Sequence, residues 1–211
     1  MKRRSFIDIA MTLLSVILMG GTMLFPNDLV HQILGIVLLF LWAFHVALNQ
    51  KWFTSLFRGK YTPFRIMQIV VNIGVLFCAA MLMISGLLMA SFVPSEIVGD
   101  ALGFARVSHL VFSHWYYLFM SFHIGLHLNM MMSKMRLNGI APKVIIALVS
   151  VYGAYAFIVR GVAKYLFLAQ QFFFFDFERG YLLFVLDYIS ILFLFATISH
   201  LASKLIFRRK Q

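Results

Sequence analysis

Long apolar runs, separated by short polar and charged clusters, extend along this whole chain. Several runs approach or exceed about 18 residues, the length typical of a helix that crosses a membrane. They are continuous rather than alternating, which favours helices over a closed barrel. The pattern predicts an all-α, polytopic membrane bundle that forms one domain over residues 1–211. The predicted spans are residues 7–25, 29–48, 64–92, 107–132, 144–168 and 181–206.

Composition agrees with a membrane protein and narrows its chemistry. The chain is 63% hydrophobic and 12% charged, whereas soluble domains are about one quarter charged. The net charge of +11 lies at the ends of apolar runs, so we expect no nucleic-acid partner. Cys78 is the single cysteine, so this sequence has no internal disulfide and no CxxCH attachment site. Any haem would be bound non-covalently, as in b-type cytochromes.

The basic residues predict an orientation. With a cytoplasmic N-terminus and alternating spans, fourteen of the eighteen basic residues lie inside: Lys2, Arg3, Arg4, Lys51, Arg58, Lys60, Arg65, Lys134, Arg136, Lys143, Lys204, Arg208, Arg209 and Lys210. Arg106, Arg160, Lys164 and Arg179 then lie outside or at the outer interface. This bias predicts a multi-pass protein of the cytoplasmic membrane with both termini cytoplasmic. No convincing cleavage site follows the first span, so we expect a retained anchor.

Two pairs of histidines with equal spacing lie in the second and fourth predicted spans. His31 and His45 are fourteen positions apart, and so are His109 and His123. Fourteen residues return a helix to nearly the same face and advance it by roughly 21 Å. The two spans run in the same direction, because one full span separates them. We therefore expect His31 level with His109, and His45 level with His123.

Facing imidazoles at equal depth are suited to haem, because neutral imidazole is a good iron ligand. Two axial imidazoles fill the open positions of the iron and favour electron transfer. Sites in bundle cores are built from side chains on facing helices. We predict a four-helix haem-binding core with two b haems and these four histidines as iron ligands.

Two further features would suit a haem site. A macrocycle that lies against a helix needs small residues, and the candidates are Gly35, Gly74, Ala79, Ala80 and Gly86. Such residues are also common in ordinary helix packing. Arg106 lies one turn before His109. It is a candidate to neutralise an outer haem propionate, or else an ordinary helix-end cation.

Three other histidines leave the ligand assignment open. His127 follows His123 by four residues on nearly the same face, and His200 reaches a similar depth in the sixth span. Each of these two and His114 could replace a ligand. His127 and His200 could instead line a quinone pocket or take part in proton transfer, and each is equally typical of a hydrogen-bonded helix contact. His114 points roughly 140° away from His109. Because aromatic residues follow it directly, we expect His114 at the membrane interface.

The connection between the fifth and sixth spans is unusual. Its first residues are expected to extend the fifth helix. Five phenylalanines at 172–175 and 177 are mixed with acidic and basic residues. This mixture predicts an interfacial segment on the outer face that anchors the chain in the membrane. A docking surface for a partner is the alternative.

The histidine motifs resemble those of the flavinylation-associated cytochrome family. The first resemblance is His31-Gln-Ile-Leu-Gly35 leading to His45, followed by Asn49 and Trp52. The second runs from His109 to His123-Ile-Gly-Leu-His127. Tyr155-Ala-Phe-Ile and the aromatic-acidic segment 172–178 are similar to longer members, so the resemblance covers nearly the whole chain.

The resemblance implies a b-type cytochrome that passes electrons across the membrane. Its expected partners are membrane quinol and an extracytoplasmic flavoprotein that carries covalently attached FMN. It implies His31, His45, His109 and His123 as ligands, with His127 also in the family motif. The chain has no recognisable flavin-binding domain or convincing flavinylation motif. We therefore expect an electron-transfer subunit rather than a stand-alone enzyme.

Two other classes of function remain open from the sequence. Intramembrane histidines also line the paths of metal-ion or proton transporters. Few intramembrane acids are available to pair with them, and Asp187 is the main candidate. The third class is a membrane anchor subunit of a redox complex, with partner contacts through the outer aromatic segment.

Overall fold

The computed structural model describes residues 3–137 and 139–208. Within them the chain forms helices and no strand, so the predicted all-α bundle is confirmed. The α-helices are α1 (Arg3–Leu18), α2 (Asp28–Leu48), α3 (Lys51–Ser55), α4 (Pro63–Leu88), α5 (Ser95–Val98), α6 (Ala101–Lys134), α7 (Ile140–Val159), α8 (Val162–Leu166) and α9 (Gly180–Arg208). The basic residues Lys2, Arg209 and Lys210, used to predict the orientation, lie outside the described residues.

The six predicted spans correspond to the six long helices α1, α2, α4, α6, α7 and α9. Four of these, α2, α4, α7 and α9, are long and apolar enough to cross a membrane. The 16 residues of α1 span only about 24 Å. The 34 residues of α6 exceed the required length, but four histidines interrupt its apolar sequence. By the length and composition of α2, α4, α7 and α9, the molecule is a helical membrane protein.

Long helices that are neighbours in sequence run antiparallel. Arg4 at the start of α1 donates to the carbonyl of Leu48 at the end of α2. Both lie at what we call the N-terminal end of the bundle, where α1 begins and α2, α6 and α9 end. At the opposite end, α1 ends and α2, α6 and α9 begin. The histidine helices α2 and α6 consequently run in the same direction.

Helix α6 lies at the centre of the bundle, between α4 and α9, and α9 packs in turn against α7. Two glycines allow the closest of these approaches. A Cβ at Gly125 would collide with the carbonyl oxygen of Ala196, and one at Gly153 with that of Ser190. Small residues at helix interfaces permit this backbone proximity in membranes. The apolar core includes Tyr116, Tyr117, Tyr188, Ile191 and Ala79.

The predicted continuation of the fifth span to residue 168 is wrong. Helix α7 ends at Val159, and Gly161 follows with φ of 62°, a left-handed conformation that favours glycine. The chain then turns into the short helix α8. The first span also ends earlier than predicted, at Leu18, and a 3₁₀ turn at Gly21–Leu24 leads to α2. Both breaks depend on glycine conformations that hydrophobicity does not reveal.

Candidate functional site

One face of α2 is turned towards the bundle, and both of its histidines lie on it. His31, Gly35, Leu38, Trp42 and His45 follow one another at helical spacing, and all five are buried or half-buried. Exposed apolar side chains occupy the other faces of the helix. Trp42 packs against the apolar core. The two histidines therefore lie on one face of α2, towards its two ends, as the fourteen-residue spacing predicts.

At the opposite end of the bundle, His31 faces His109. Their ring centroids are 6.3 Å apart, and the ring planes meet at 70°. The backbones of α2 and α6 make few close contacts, unlike those of α4 and α6. The two helices thus approach one another through imidazoles across a gap. The predicted level pairing of these two residues agrees with this geometry.

Helix α4 fixes the orientation of the His109 ring. Nδ1 of His109 donates to the carbonyl oxygen of Leu82 at 3.2 Å, and Ser85 Oγ lies 3.4 Å from the same nitrogen. A Cβ at Gly86 would lie only 3.1 Å from Cε1 of the ring, so Gly86 makes room for the imidazole. An Nδ1–H bond of this kind fixes the tautomer and leaves Nε2 free to bind a metal.

At the N-terminal end, α1 holds the ring of His45. Nδ1 of His45 donates to Asp8 Oδ1 at 2.9 Å. Asn49, one turn later on α2, lies 3.4 Å from Nε2 through its own Nδ2 and donates to the backbone of His45 at 2.8 Å. A carboxylate on the far nitrogen is the usual outer-shell partner of a metal-binding histidine.

His123 is held in the same way, by α4. Its Nδ1 donates to Asn72 Oδ1 at 2.8 Å. His127 lies on the same face, with its ring centroid 4.9 Å from that of His123. His45 lies at this same end of the bundle, on α2. The N-terminal end thus collects three histidines, so the doubt between His123 and His127 as ligand persists in the structure.

Three of the four predicted ligands thus share one arrangement. His45, His109 and His123 each donate from Nδ1 to an oxygen on another helix. The fourth, His31, has a buried Nδ1 with no hydrogen-bond partner among the described residues. Unlike the other three rings, that of His31 therefore has no partner on Nδ1 that fixes its tautomer.

Two tests of fit to haem give compatible answers. Two imidazoles on opposite sides of one metal ion have ring centroids about 6 Å apart, because each metal–nitrogen bond is about 2 Å. The spacing of His31 and His109 matches this value. Among the described residues no group of three or more His, Cys, Asp or Glu side chains could hold a metal ion. Haem iron takes its remaining ligands from the porphyrin, so two imidazoles suffice for it.

The small residues divide into two groups. A Cβ at Gly35 would meet nothing within 4 Å, so this glycine borders open space one turn from His31. A Cβ at Gly74 would collide with the ring of Phe119, and Ala79 is fully buried in the core. Gly35 is therefore the candidate for clearance of a macrocycle. Gly74, Ala79 and Gly86 serve packing between protein groups.

Arg106 is exposed and lines a cavity of about 210 Å³ with Met89, Ser91 and Val98. The side chain of Gln32 accepts from both the backbone and hydroxyl of Ser91, at 3.0 and 2.8 Å. This connection ties the start of α2, beside His31, to the loop after α4. Arg106 therefore lies one turn before His109 on α6, beside the loop that Gln32 contacts.

The expectation that His114 is interfacial is wrong. His114 is 2% exposed, stacks on Tyr165 with 4.5 Å between centroids, and donates to the carbonyl of Leu110. His200 is 8% exposed on α9, and the described residues bring no other histidine ring against it. Neither residue joins the two histidine clusters, which weakens both as replacement ligands.

Sequence reasoning missed the partners that orient the rings. These partners are Asp8 and Asn72. Asp187, expected to pair with histidine in a transporter, instead accepts from Arg160 Nε at 2.8 Å and Tyr152 OH at 2.6 Å. A polar residue inside an apolar run was the available signal, but the rotation of each helix decides which partner it meets.

No family model, curated protein or solved structure matches this chain. The candidate site therefore rests on the arrangement of its own side chains. The resemblance of the histidine motifs to flavinylation-associated cytochromes stays a prediction.

Proposed function

We propose that the protein is a b-type di-haem membrane cytochrome of the flavinylation-associated kind. The observation that carries this proposal is the pair formed by His31 and His109, whose rings face each other at 6.3 Å from two helices in little direct contact. Ordinary helix packing gives no reason for two half-buried imidazoles to bridge such a gap. Intramembrane ionisable residues are costly and are usually functional.

The first haem would be held by His31 and His109 at the opposite end of the bundle. Leu82 and Gly86 orient the ring of His109, and Gly35 leaves an open surface beside His31. We assign Arg106 the role of neutralising a propionate of this haem. The second haem would be held by His45 and His123, with Asp8 and Asn72 on their Nδ1 atoms.

Haem iron with two imidazole ligands supplies one-electron transfer without an open position for oxygen chemistry. One site near each end of the bundle suits electron movement across the membrane. We assign quinol as the partner on one side and an extracytoplasmic FMN-bearing flavoprotein on the other.

A quinol releases two protons with its two electrons, and His127, beside His123, is our candidate proton acceptor. His200 remains a weaker candidate for the quinone site. We further propose that the protein lies in the cytoplasmic membrane with both termini on the cytoplasmic side.

Substitution of the ligands tests this function. His109→Ala and His123→Ala are each expected to lose about half of the bound haem, because each removes one ligand from a different site. His114→Gln is the matched control, since His114 is a buried histidine of the same helix that lies in neither cluster. Haem content and the reduced-minus-oxidised visible spectrum are measured on purified full-length protein made with added haem.

A normal b-type spectrum in both alanine variants would contradict the ligand assignment. If His127→Ala loses haem and His123→Ala does not, the ligand is His127, one helical turn later, and the proposed function stands. Metal-dependent uptake without bound haem would instead support the transporter class. Co-purification of a partner enzyme whose activity survives all histidine substitutions would support the anchor class.

A further inference from the structure

A second polar site lies at the same end of the bundle as His31 and His109, but no histidine lines it. The end of α7, helix α8 and the segment before α9 enclose a cavity of about 370 Å³. Its lining includes Arg160, Lys164, Arg179, Gln170 and Asp176. Three basic side chains that converge on one cavity in an apolar protein call for an explanation.

Arg160 is held rigidly in the wall of this cavity. Its Nε donates to Asp187 Oδ2 at 2.8 Å, and its guanidinium lies 5.1 Å over the ring of Phe184. The Arg160 side chain is only 7% exposed, yet its Nη2 has no hydrogen-bond partner among the described residues. A buried donor without an acceptor costs about 1–3 kcal/mol, and more when it is charged.

Arg179 also lines the cavity, and it too has a buried donor without an acceptor. Its Nη2 lies 3.8 Å from the same Asp187 oxygen, and its buried Nε also has no partner among the described residues. One carboxylate therefore serves two guanidinium groups. Asp176 also lines the cavity, and its Oδ1 accepts from the backbone N–H groups of Glu178 and Arg179. With Lys164, three cations face two carboxylates.

We propose that this cavity binds a phosphoryl group, either the headgroup of a phospholipid or a soluble phosphate. The forked N–H donors of arginine match the oxygens of phosphate, and buried charge-assisted hydrogen bonds of this type are strong. A phosphate oxygen between the two guanidinium groups would give both orphaned donors an acceptor. Lys164, exposed at the rim, adds a point charge.

The surroundings suit a ligand from the lipid phase as well as one from water. Phe172, Phe174 and Phe177 beside the cavity are 76%, 70% and 63% exposed. Exposed aromatic side chains are typical of the membrane interface, where phospholipid headgroups lie. This site is independent of haem, so its test does not depend on the cytochrome function.

The test compares the full-length protein with the Lys164→Gln/Arg179→Gln variant. Lys143→Gln is the control, since Lys143 is an exposed cation at the N-terminal end. One arm titrates inorganic phosphate, at constant ionic strength held with chloride, and follows the Tm in detergent. The other arm measures phospholipid retained after extensive detergent washing, by native mass spectrometry.

We expect the unchanged protein and Lys143→Gln to respond alike, and the double variant to bind at least tenfold more weakly. A response to inorganic phosphate identifies the soluble source, and retained phospholipid identifies the headgroup. The site does not exist if the unchanged protein shows neither response, or if the double variant equals it in both arms. Should the double variant fail to fold, Lys164→Gln alone must show weaker binding, because its side chain lies at the exposed rim.

Discussion

The carboxylate of Asp8 on α1 accepts a hydrogen bond from Nδ1 of His45 on α2, with 2.9 Å between the two atoms. Their side chains are 54% and 29% exposed. The contact therefore contributes little to folding, since exposed ion pairs are worth about 0–1 kcal/mol. Under the proposed function, Asp8 orients the ring of a haem ligand, and iron at Nε2 of His45 would replace the contact of this nitrogen with Asn49 Nδ2 at 3.4 Å.

Asp8→Asn is expected to weaken haem binding at the N-terminal end. Outer-shell partners of metal-binding histidines typically contribute about 10–100-fold in affinity. Titration of haem into the apoprotein should show one weakened site and one unchanged site, with little change in Tm. Asp100→Asn, an exposed acid at the start of α6 without a side-chain capping bond, is the matched control. Equal weakening in both variants would show a general charge effect instead.

Asn72→Leu should produce a related loss through His123. Asn72 Oδ1 is 2.8 Å from Nδ1 of His123, and leucine removes this acceptor while it keeps a similar volume. A half-buried imidazole N–H without a partner costs about 1–3 kcal/mol, so the Tm should also fall. The measurements are the Tm and haem content, with Asn129→Leu on the exposed surface of α6 as control. Unchanged haem content would show that Asn72 does not contribute to haem binding through His123.

Gly35→Leu tests whether the open surface beside His31 receives a macrocycle. A Cβ at this position meets no protein atom within 4 Å, so the apoprotein should be as stable as before. Haem content should fall by about half, because the larger side chain occupies the space next to one site. Ile33→Phe enlarges an exposed side chain on the same helix and should leave haem content unchanged. If Gly35→Leu retains full haem, this surface faces lipid only.

Asp187→Leu should destabilise the bundle strongly. Asp187 is 0% exposed, and its loss leaves the buried guanidinium of Arg160 without a counter-charge. Removal of one partner of a buried pair typically costs about 3–5 kcal/mol, whereas replacement of both by apolar groups is often neutral. The apparent Tm in detergent should therefore fall in Asp187→Leu and recover in part in Asp187→Leu/Arg160→Met, because Arg179 and Tyr152 also lose their contact with this carboxylate. A single variant as stable as the unchanged protein would contradict a structural role for this ion pair.

The histidine pairing was accessible from sequence because helical periodicity and alternating direction are both regular. Spacing alone places His31 and His45 on one face of α2. Because the single long helix α4 lies between α2 and α6 in the chain, these two helices run in the same direction. Both inferences hold without knowledge of side-chain contacts. The fold class follows in the same way from the length of the apolar runs.

The remaining features depend on details that periodicity does not contain. The break after Val159 requires the left-handed conformation of Gly161. The burial of His114 follows from stacking on Tyr165, a residue of the short helix that this break creates. The contacts of Asp8 and Asn72 depend on the rotation of α1 and α4 about their axes, which a single polar residue in an apolar run does not determine.

The most direct measurement is the haem-to-protein ratio of the unmodified protein, produced with added haem and purified in mild detergent. A di-haem b-type cytochrome predicts two non-covalent haems per chain and a b-type band in the reduced-minus-oxidised spectrum. Extraction into acidified organic solvent should release all of the haem, because this sequence has no CxxCH motif. Protein that is folded and helical but binds no haem under these conditions would contradict the cytochrome function.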